Sequence, residues 1–358
     1  MDSRGSWTVE AELETPQGLF IDSCPSGASI GKYEAKTVPT ETAVKNINTL
    51  VAKELKGKDV LDQQGIDKIL KKLNVGANTT TAVSMAVCRA GAAVKNLPPY
   101  EYIAKVADVG SPLVLPRPCF NMINGGAHAT SALDFQEFMA VPQAKTVKES
   151  LRIASGIYQE LRKKLGKNVG DEGGFSQSLK KPEEALKIIS KYNVKIIIDV
   201  AASQFSAALR KKYNAAFYQN LIERYPIIAL EDPFPEDNLA SWQKFRPQNI
   251  AVIGDDLLTT NPERIKMAKE KNLCNAMILK INQIGTVSEA LEAAGLAKSY
   301  GWKIMVSHRS GETNDDFIVD LAIGIGADYI KSGAPARGER VAKYNRLLKI
   351  EEDFLKPI

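Results

Sequence analysis

"YPIIALEDPFPED", residues 225–237, reads as a buried strand that runs straight into acid. Ile227, Ile228, Ala229 and Leu230 precede Glu231 and Asp232, and Pro233 then stops a central strand, because proline has no N–H to give to the ladder. The same shape recurs along the second part of the chain in "KIIIDV", "IAVIGDD", "NAMILKI", "KIMVSH" and "ADYIKSG". Each is a short apolar run of the kind that forms a parallel strand buried on both faces. The polar residues that end the runs are Asp199, Glu231, Asp255, Lys280, His308 and Lys331, separated by 32, 24, 25, 28 and 23 residues. That is one strand–helix unit each, and six such units predict a (β/α) barrel. A doubly wound open sheet is the alternative, although no Gly-rich dinucleotide loop follows an early strand.

The chain before these units has a different texture. "WTVEAELET" alternates, "PQG" turns and "LFIDSCP" alternates back, which predicts a hairpin. Helical periodicity follows in "ETAVKNINTLVAKEL" and "DQQGIDKILKKL", and Asn78 is placed to cap the small-residue helix "TTTAVSMAVCRAGAAVKN". The Pro- and Gly-rich stretch at 106–118 reads as a junction. The predicted architecture is an α+β domain over residues 1–110 and a barrel over 111–358, with chemistry at the C-terminal ends of its strands. Of the 358 residues, 44% are hydrophobic and 25% charged, which allows a large core. No apolar run approaches the ~20 residues of a membrane span, and "MDSRGSWTVE" lacks the apolar stretch of a secretory signal. Cys24, Cys88, Cys119 and Cys274 are far apart without CxxC spacing, as expected of reduced thiols in a cytosolic protein. The net charge of +5 comes from lysines spread over helical stretches, a solvated surface and not a nucleic-acid groove.

At a barrel mouth Asp199, Glu231 and Asp255 meet from consecutive strands. One acid at such a position reads as a helix N-cap, but three repel one another unless a cation lies between them. Oxygen donors without Cys or His favour Mg²⁺ over zinc. The next strand ends are basic: Lys280, then His308 and Arg309, then Lys331. Acids on one side and bases on the other suit a small, highly anionic substrate. Arg309 offers two donors to a phosphate or carboxylate, and a lysine beside metal and other cations should have a lowered pKa, as a general base needs. "NVGDEGGF" sets Glu172 between glycines that let backbone approach a ligand, and "NGGAHATSALDFQEF" carries His128, Gln136 and Glu137. Glu172 and Glu137 in one cleft would share a proton, one of them staying protonated at neutral pH.

These segments resemble the enolase family. "DSRGSWTVE", "PSGASIGKYEA", "NMINGGAH", "QEFMAVP", "NVGDEGGF", "DVAASQF", "LEDPFPED", "GDDLLTTNP", "LKINQIGT", "VSHRSGET" and "IKSGAPARGERVAKYN" occur in the family's order over nearly the whole chain. The resemblance implies an enolase-type barrel and a Mg²⁺-dependent, reversible dehydration of 2-phosphoglycerate to phosphoenolpyruvate through an enediolate, in the cytoplasm. A Lys or His base with Mg²⁺ is a general description of the enolase superfamily. Carried over, Lys280 resembles the base that takes the C2 proton and Glu172 the acid that helps the C3 hydroxyl leave. Asp199, Glu231 and Asp255 resemble the ligands of a first Mg²⁺, and Ser29 a ligand of a second that arrives with substrate. Glu137 and His128 resemble further catalytic groups, and Gln136, His308, Arg309, Ser310 and Lys331 substrate contacts. The resemblance also implies a homodimer or higher homo-oligomer, with no nucleic acid or membrane partner. Glu10, Glu12 and Glu14 alternate along one strand face, which serves either that contact or plain solvation.

The chain departs from the family's pattern by being short. "KTVPTETAV" follows "GKYEA" where an acidic "LRD"-type segment is usual, the stretch between "DVAASQF" and "YPIIALEDP" is trimmed, as is the region before "NVGDEGG", and Ile30 replaces a Thr. The rival readings are another acid-sugar dehydratase of the superfamily and a non-catalytic scaffold.

Overall fold

A computed structural model of the chain describes residues 1–28, 31–110, 113–129, 131–176 and 179–355. Strands β1 (Glu10–Thr15) and β2 (Gly18–Ser23) form the predicted hairpin, with Thr15 paired to Gly18 around a two-residue turn. Its alternation is two-faced. Ala11 and Leu13 turn inward, while Glu10, Glu12 and Glu14 stand exposed beside Leu19 and Ile21. Helix 63–73 is capped by Asp62, whose carboxylate accepts the Gly65 N–H. The helix Ala77–Val94 is buried over most of its length, which its run of Ala, Ser, Thr and Gly permits. Asn78 does not cap it. The N-cap is Gly76, and Asn78 lies in the first turn, where its side chain donates to Val38 O and accepts from Val38 N. These elements enclose a small core of their own around Val9, Ile66, Leu70 and Val83.

Eight strands close into a barrel in the order β10-β3-β4-β5-β6-β7-β8-β9. They are β3 (Arg117–Asn124), β4 (Glu137–Pro142), β5 (Val194–Asp199), β6 (Ile227–Glu231), β7 (Ala251–Gly254), β8 (Ala276–Leu279), β9 (Lys303–Ser307) and β10 (Tyr329–Lys331). The six parallel runs read from the sequence are β5 to β10. Strand β4 alone runs against its neighbours, pairing antiparallel with both β3 and β5. Side chains alternate across each strand, so one set faces the helices and the other fills the barrel. The inner set includes Cys119, Met139, Ile197, Ala229, Ile253, Ile278, Met305 and Tyr329, an apolar plug separate from the outer core.

The N-terminal part is tied to the barrel beside its mouth. Thr80 donates to Gly285 O at 2.7 Å, while Ser84 and Asp67 accept the N–H groups of Val287 and Ser288 at 2.9 Å each. The extreme N-terminus reaches the loop after β9, where Ser3 N donates to Glu312 O.

Candidate active site

Two residues beyond the apolar plug, toward the C-terminal ends of the parallel strands, the inward positions turn polar. Asp199 ends β5 and pairs in register with Glu231, which ends β6, and Asp255 follows β7 directly. Lys280 follows β8, His308 and Arg309 follow β9, and Lys331 ends β10. Because β4 runs the other way, it delivers its first residue, Glu137, to this rim, in register with Asp199. The rim surrounds a narrow cleft lined almost wholly by polar groups.

The cation that lies among these acids is the protein's own. Lys331 Nζ donates to both oxygens of Glu231 at 2.8 and 2.9 Å and stands 3.2 Å from Glu137 and 3.6 Å from Asp199. Burial alone would lower this ammonium's pKa, but Glu137, Glu231 and Asp199 outweigh it and hold the group well above the usual lysine value. Burial pushes Glu231 up to about 8, with the Asp199 charge adding and Lys331 opposing. Lys280 Nζ lies 2.5 Å from Asp255. Burial would lower Lys280, but the Asp255 charge beside its ammonium raises it above the ordinary value, whereas the lowered pKa expected from sequence is that of a lysine beside bound metal. That expectation set cations around the lysine; its nearest neighbour is an anion.

Across the cleft stands the second pair of acids. Glu172 Oε1 lies 3.3 Å from His128 Nδ1 and 3.6 Å from His308 Nε2, and Oε2 accepts from Asn121 at 2.9 Å. Burial would raise Glu172, but the facing His128 and a hydrogen bond with Glu137 bring it well below the usual range. Burial and the Glu172 charge push Glu137 well up. The shared proton therefore rests on Glu137.

The two adjacent carboxylates of the opening stretch do different work. Glu231 enters the rim. Asp232, at a positive φ of 42°, accepts the backbone N–H groups of Asp255 and Asp256 at 2.9 and 2.8 Å. It thereby sets the turn that presents Asp255.

Arg309 makes the two-donor contact expected of it, but with Glu34: its Nη1 and Nη2 each stand 3.1 Å from a Glu34 oxygen, and Nη1 also donates to Asn282. Ser310 Oγ accepts from Ala28 N at 2.6 Å, which brings the segment before Ser29 to the rim; Ser29 itself lies outside the described residues. Gln136 donates to Asp199 Oδ2 at 3.1 Å. The glycines beside Glu172 serve protein packing: a Cβ on Gly174 would fall 2.5 Å from Asn124 Oδ1. Sequence reading gave no role to Asn121, Glu34 or Asp232. Asn121 could have been found from the two-residue step beyond Cys119 on β3; Glu34 acts from a loop that carries no such period, and Asp232, noticed beside Glu231, spends its carboxylate on backbone N–H groups.

Asp199, Glu231 and Asp255 are all buried, offer only oxygen, and include a carboxyl whose ionisation burial makes costly. Oxygen-only donors of this kind suit a hard divalent ion; among the described residues the three carboxylates whose ligand atoms already lie within 4.8 Å of one another are those of Asp232, Asp255 and Asp256, while Lys331 and Lys280 stand among Asp199, Glu231 and Asp255.

Residues 1–103 match the model of the enolase N-terminal domain, and residues 112–217 and 214–356 that of the enolase C-terminal TIM barrel domain. The chain belongs to the enolase family. It is 42% identical over 417 residues to the enolase of Eimeria tenella and 44% identical over 412 to that of Mastigamoeba balamuthi, covering 99% of this chain and 94% of each relative. Those alignments are longer than the 358 residues here, so the shortening read from the sequence appears as gaps facing this chain. Enolases are hydro-lyases of glycolysis that convert 2-phosphoglycerate reversibly to phosphoenolpyruvate and use Mg²⁺, and this is the activity of the chain. Among the described residues, no helix is long and apolar enough to cross a membrane.

Proposed function

We propose a division of labour in which the Asp199–Glu231–Asp255 side of the rim holds metal, Lys280 takes the C2 proton, and the Glu137–Glu172 pair releases the C3 hydroxyl. The observation that carries it is the meeting of Lys280 and Lys331 with three strand-end carboxylates on one rim, opposite Glu172 and its two histidines. A proton beside a carboxylate is weakly acidic, because its loss puts a second negative charge on that group. Bound Mg²⁺ would supply concentrated positive charge at that carboxylate, with one ion on Asp199, Glu231 and Asp255 and a second, arriving with substrate, on Ser29.

The chain's own residues do the rest. Lys280 becomes a base when the Asp255 charge is drawn off its ammonium. Lys331 remains a fixed positive charge within the same dry cup. Glu137 stores the proton that Glu172 passes to the departing hydroxyl. Gln136, His128, His308, Arg309 and Ser310 orient the substrate, whose phosphate must take over the Arg309 fork from Glu34. We also infer that residues 1–110 and 111–358 act as two domains, that the chain works as a homodimer or larger homo-oligomer, and that it is cytoplasmic.

The test is phosphoenolpyruvate formation from 2-phosphoglycerate, followed by ultraviolet absorbance. Chelator should abolish the rate and added Mg²⁺ restore it. A chelator-insensitive rate, or none with Mg²⁺, would overturn the reading.

A further inference from the structure

Arg340, in the segment "APARGER", is completely buried and belongs to none of the roles above. Its guanidinium gathers the back of the active-site rim. Nη1 lies 2.6 Å from His308 Nδ1 and donates to Arg309 O at 2.7 Å. Nη2 donates to Ser310 O at 2.7 Å, to Asp171 O at 3.0 Å and, more weakly, to Ser3 Oγ at 3.4 Å. Nε faces Glu339 at 3.2 Å.

A guanidinium has donors only and stays protonated. The contact with His308 therefore has one possible polarity: Nδ1 is the acceptor and carries no proton. A doubly protonated ring would set N–H against N–H in a buried site, so the ring is neutral, with its one proton on Nε2. That Nε2 is buried, has no hydrogen-bond partner among the described residues, lines the cleft and looks toward Glu172 Oε1 at 3.6 Å. The charged groups acting on the ring are Glu172, Arg340, Lys331 and Lys280, three cations against one anion.

We propose that Arg340 is a positioning residue that locks His308 in the Nε2–H tautomer, keeping an unused N–H donor aimed into the cleft for an oxygen of the bound substrate. The lock also removes His308 as a rival base, so that Lys280 alone accepts the substrate proton. The second statement rests on the reading of the cleft given above. The first does not. His128, the other histidine beside Glu172, has no such anchor among its described contacts.

The chain has two histidines, so ¹⁵N-histidine NMR of the substrate-free protein resolves both rings, and a His128→Gln variant assigns them. In the wild type, His308 should show a protonated Nε2 and an unprotonated Nδ1, unchanged from about pH 5.5 to 9. Arg340→Met should mix its tautomers or let it titrate within that range. It should also lower kcat at least tenfold with a smaller change in KM and move the acid limb of the pH–rate profile. Arg340→Lys, which keeps a donor and a charge, should restore the tautomer and part of kcat. A wild-type His308 protonated on Nδ1, or titrating within the range, overturns the proposal even if Arg340→Met does not fold. An unchanged His308 spectrum in a folded, inactive Arg340→Met overturns it as well. Failure of the functional reading would look different: the wild type would form no phosphoenolpyruvate while its spectrum stayed as described.

Discussion

Along β5, Ile197 and Asp199 point into the barrel two residues apart, and the same step separates Ala229 from Glu231, Ile253 from Asp255, Ile278 from Lys280 and Tyr329 from Lys331. Below the step is a dry apolar plug; above it the same strands carry a cup of opposed charges. The plug contributes stability by burial. The cup has the opposite character, for it desolvates carboxylates and ammonium groups that must then neutralise one another. Each needs the other. The plug is a low-dielectric floor that keeps water from reaching the cup from beneath. The charges above it therefore feel one another strongly, and Glu231 holds its proton up to about 8.

Substitutions on either side of the step should separate function from stability. The largest effect is expected from Lys280→Ala. Removing the proton acceptor should lower kcat by about 10³-fold or more, within the range of general acid–base contributions, with KM altered only a few-fold. Steady-state kinetics on the folded variant measures this, and near-normal turnover would take Lys280 out of the base role. One layer down, Ile278→Ala should do the reverse. It opens a cavity in the plug and should cost about 2–5 kcal/mol in denaturant unfolding, while kcat per folded molecule stays near normal. Loss of turnover there without loss of stability would erase the distinction between plug and cup.

A smaller effect follows from Glu231. Its folded pKa of about 8 lies above its ordinary value of 4.5, so the folded state keeps the proton longer than the unfolded state. Its contribution to stability is fully present below about pH 4.5 and is lost as pH rises through about 8. Thermal unfolding of the metal-free protein between pH 5 and 8.5 should show a decline that is reduced in Glu231→Gln. Equal slopes for the two proteins would mean that Glu231 does not carry the strain of the cup.

The step explains how much could be read from the sequence. Residues that end parallel strands were legible, because an apolar run followed by a charged residue marks both the strand and its mouth. Asp199, Glu231, Asp255, Lys280, His308 and Lys331 all stand where that rule puts them. Glu137 reaches the rim through the beginning of its strand, because β4 runs backward, and a rule about strand ends could not find it; the Gly-rich segment "NGGAHATSALDFQEF" pointed to it instead. The neutralising partner was not legible either. Repulsion among three acids called for a cation, and Lys331, a strand end 100 residues beyond Glu231, supplies one. Nor could the pairing of Arg309 with Glu34 be read, since it joins loops 275 residues apart whose approach depends on how the N-terminal part docks.

The central claim is that the cup holds protons and ammonium groups where a divalent ion belongs. It is tested most directly by counting protons released when Mg²⁺ binds, using calorimetry in two buffers of different ionisation enthalpy. With a Glu231 carboxyl of about 8, wild-type protein should release close to one proton at pH 7 and far fewer at pH 9.5, while Glu231→Gln should release fewer at pH 7 and bind Mg²⁺ more weakly. Proton release near zero at pH 7, or Mg²⁺ binding untouched by Glu231→Gln, would contradict the account.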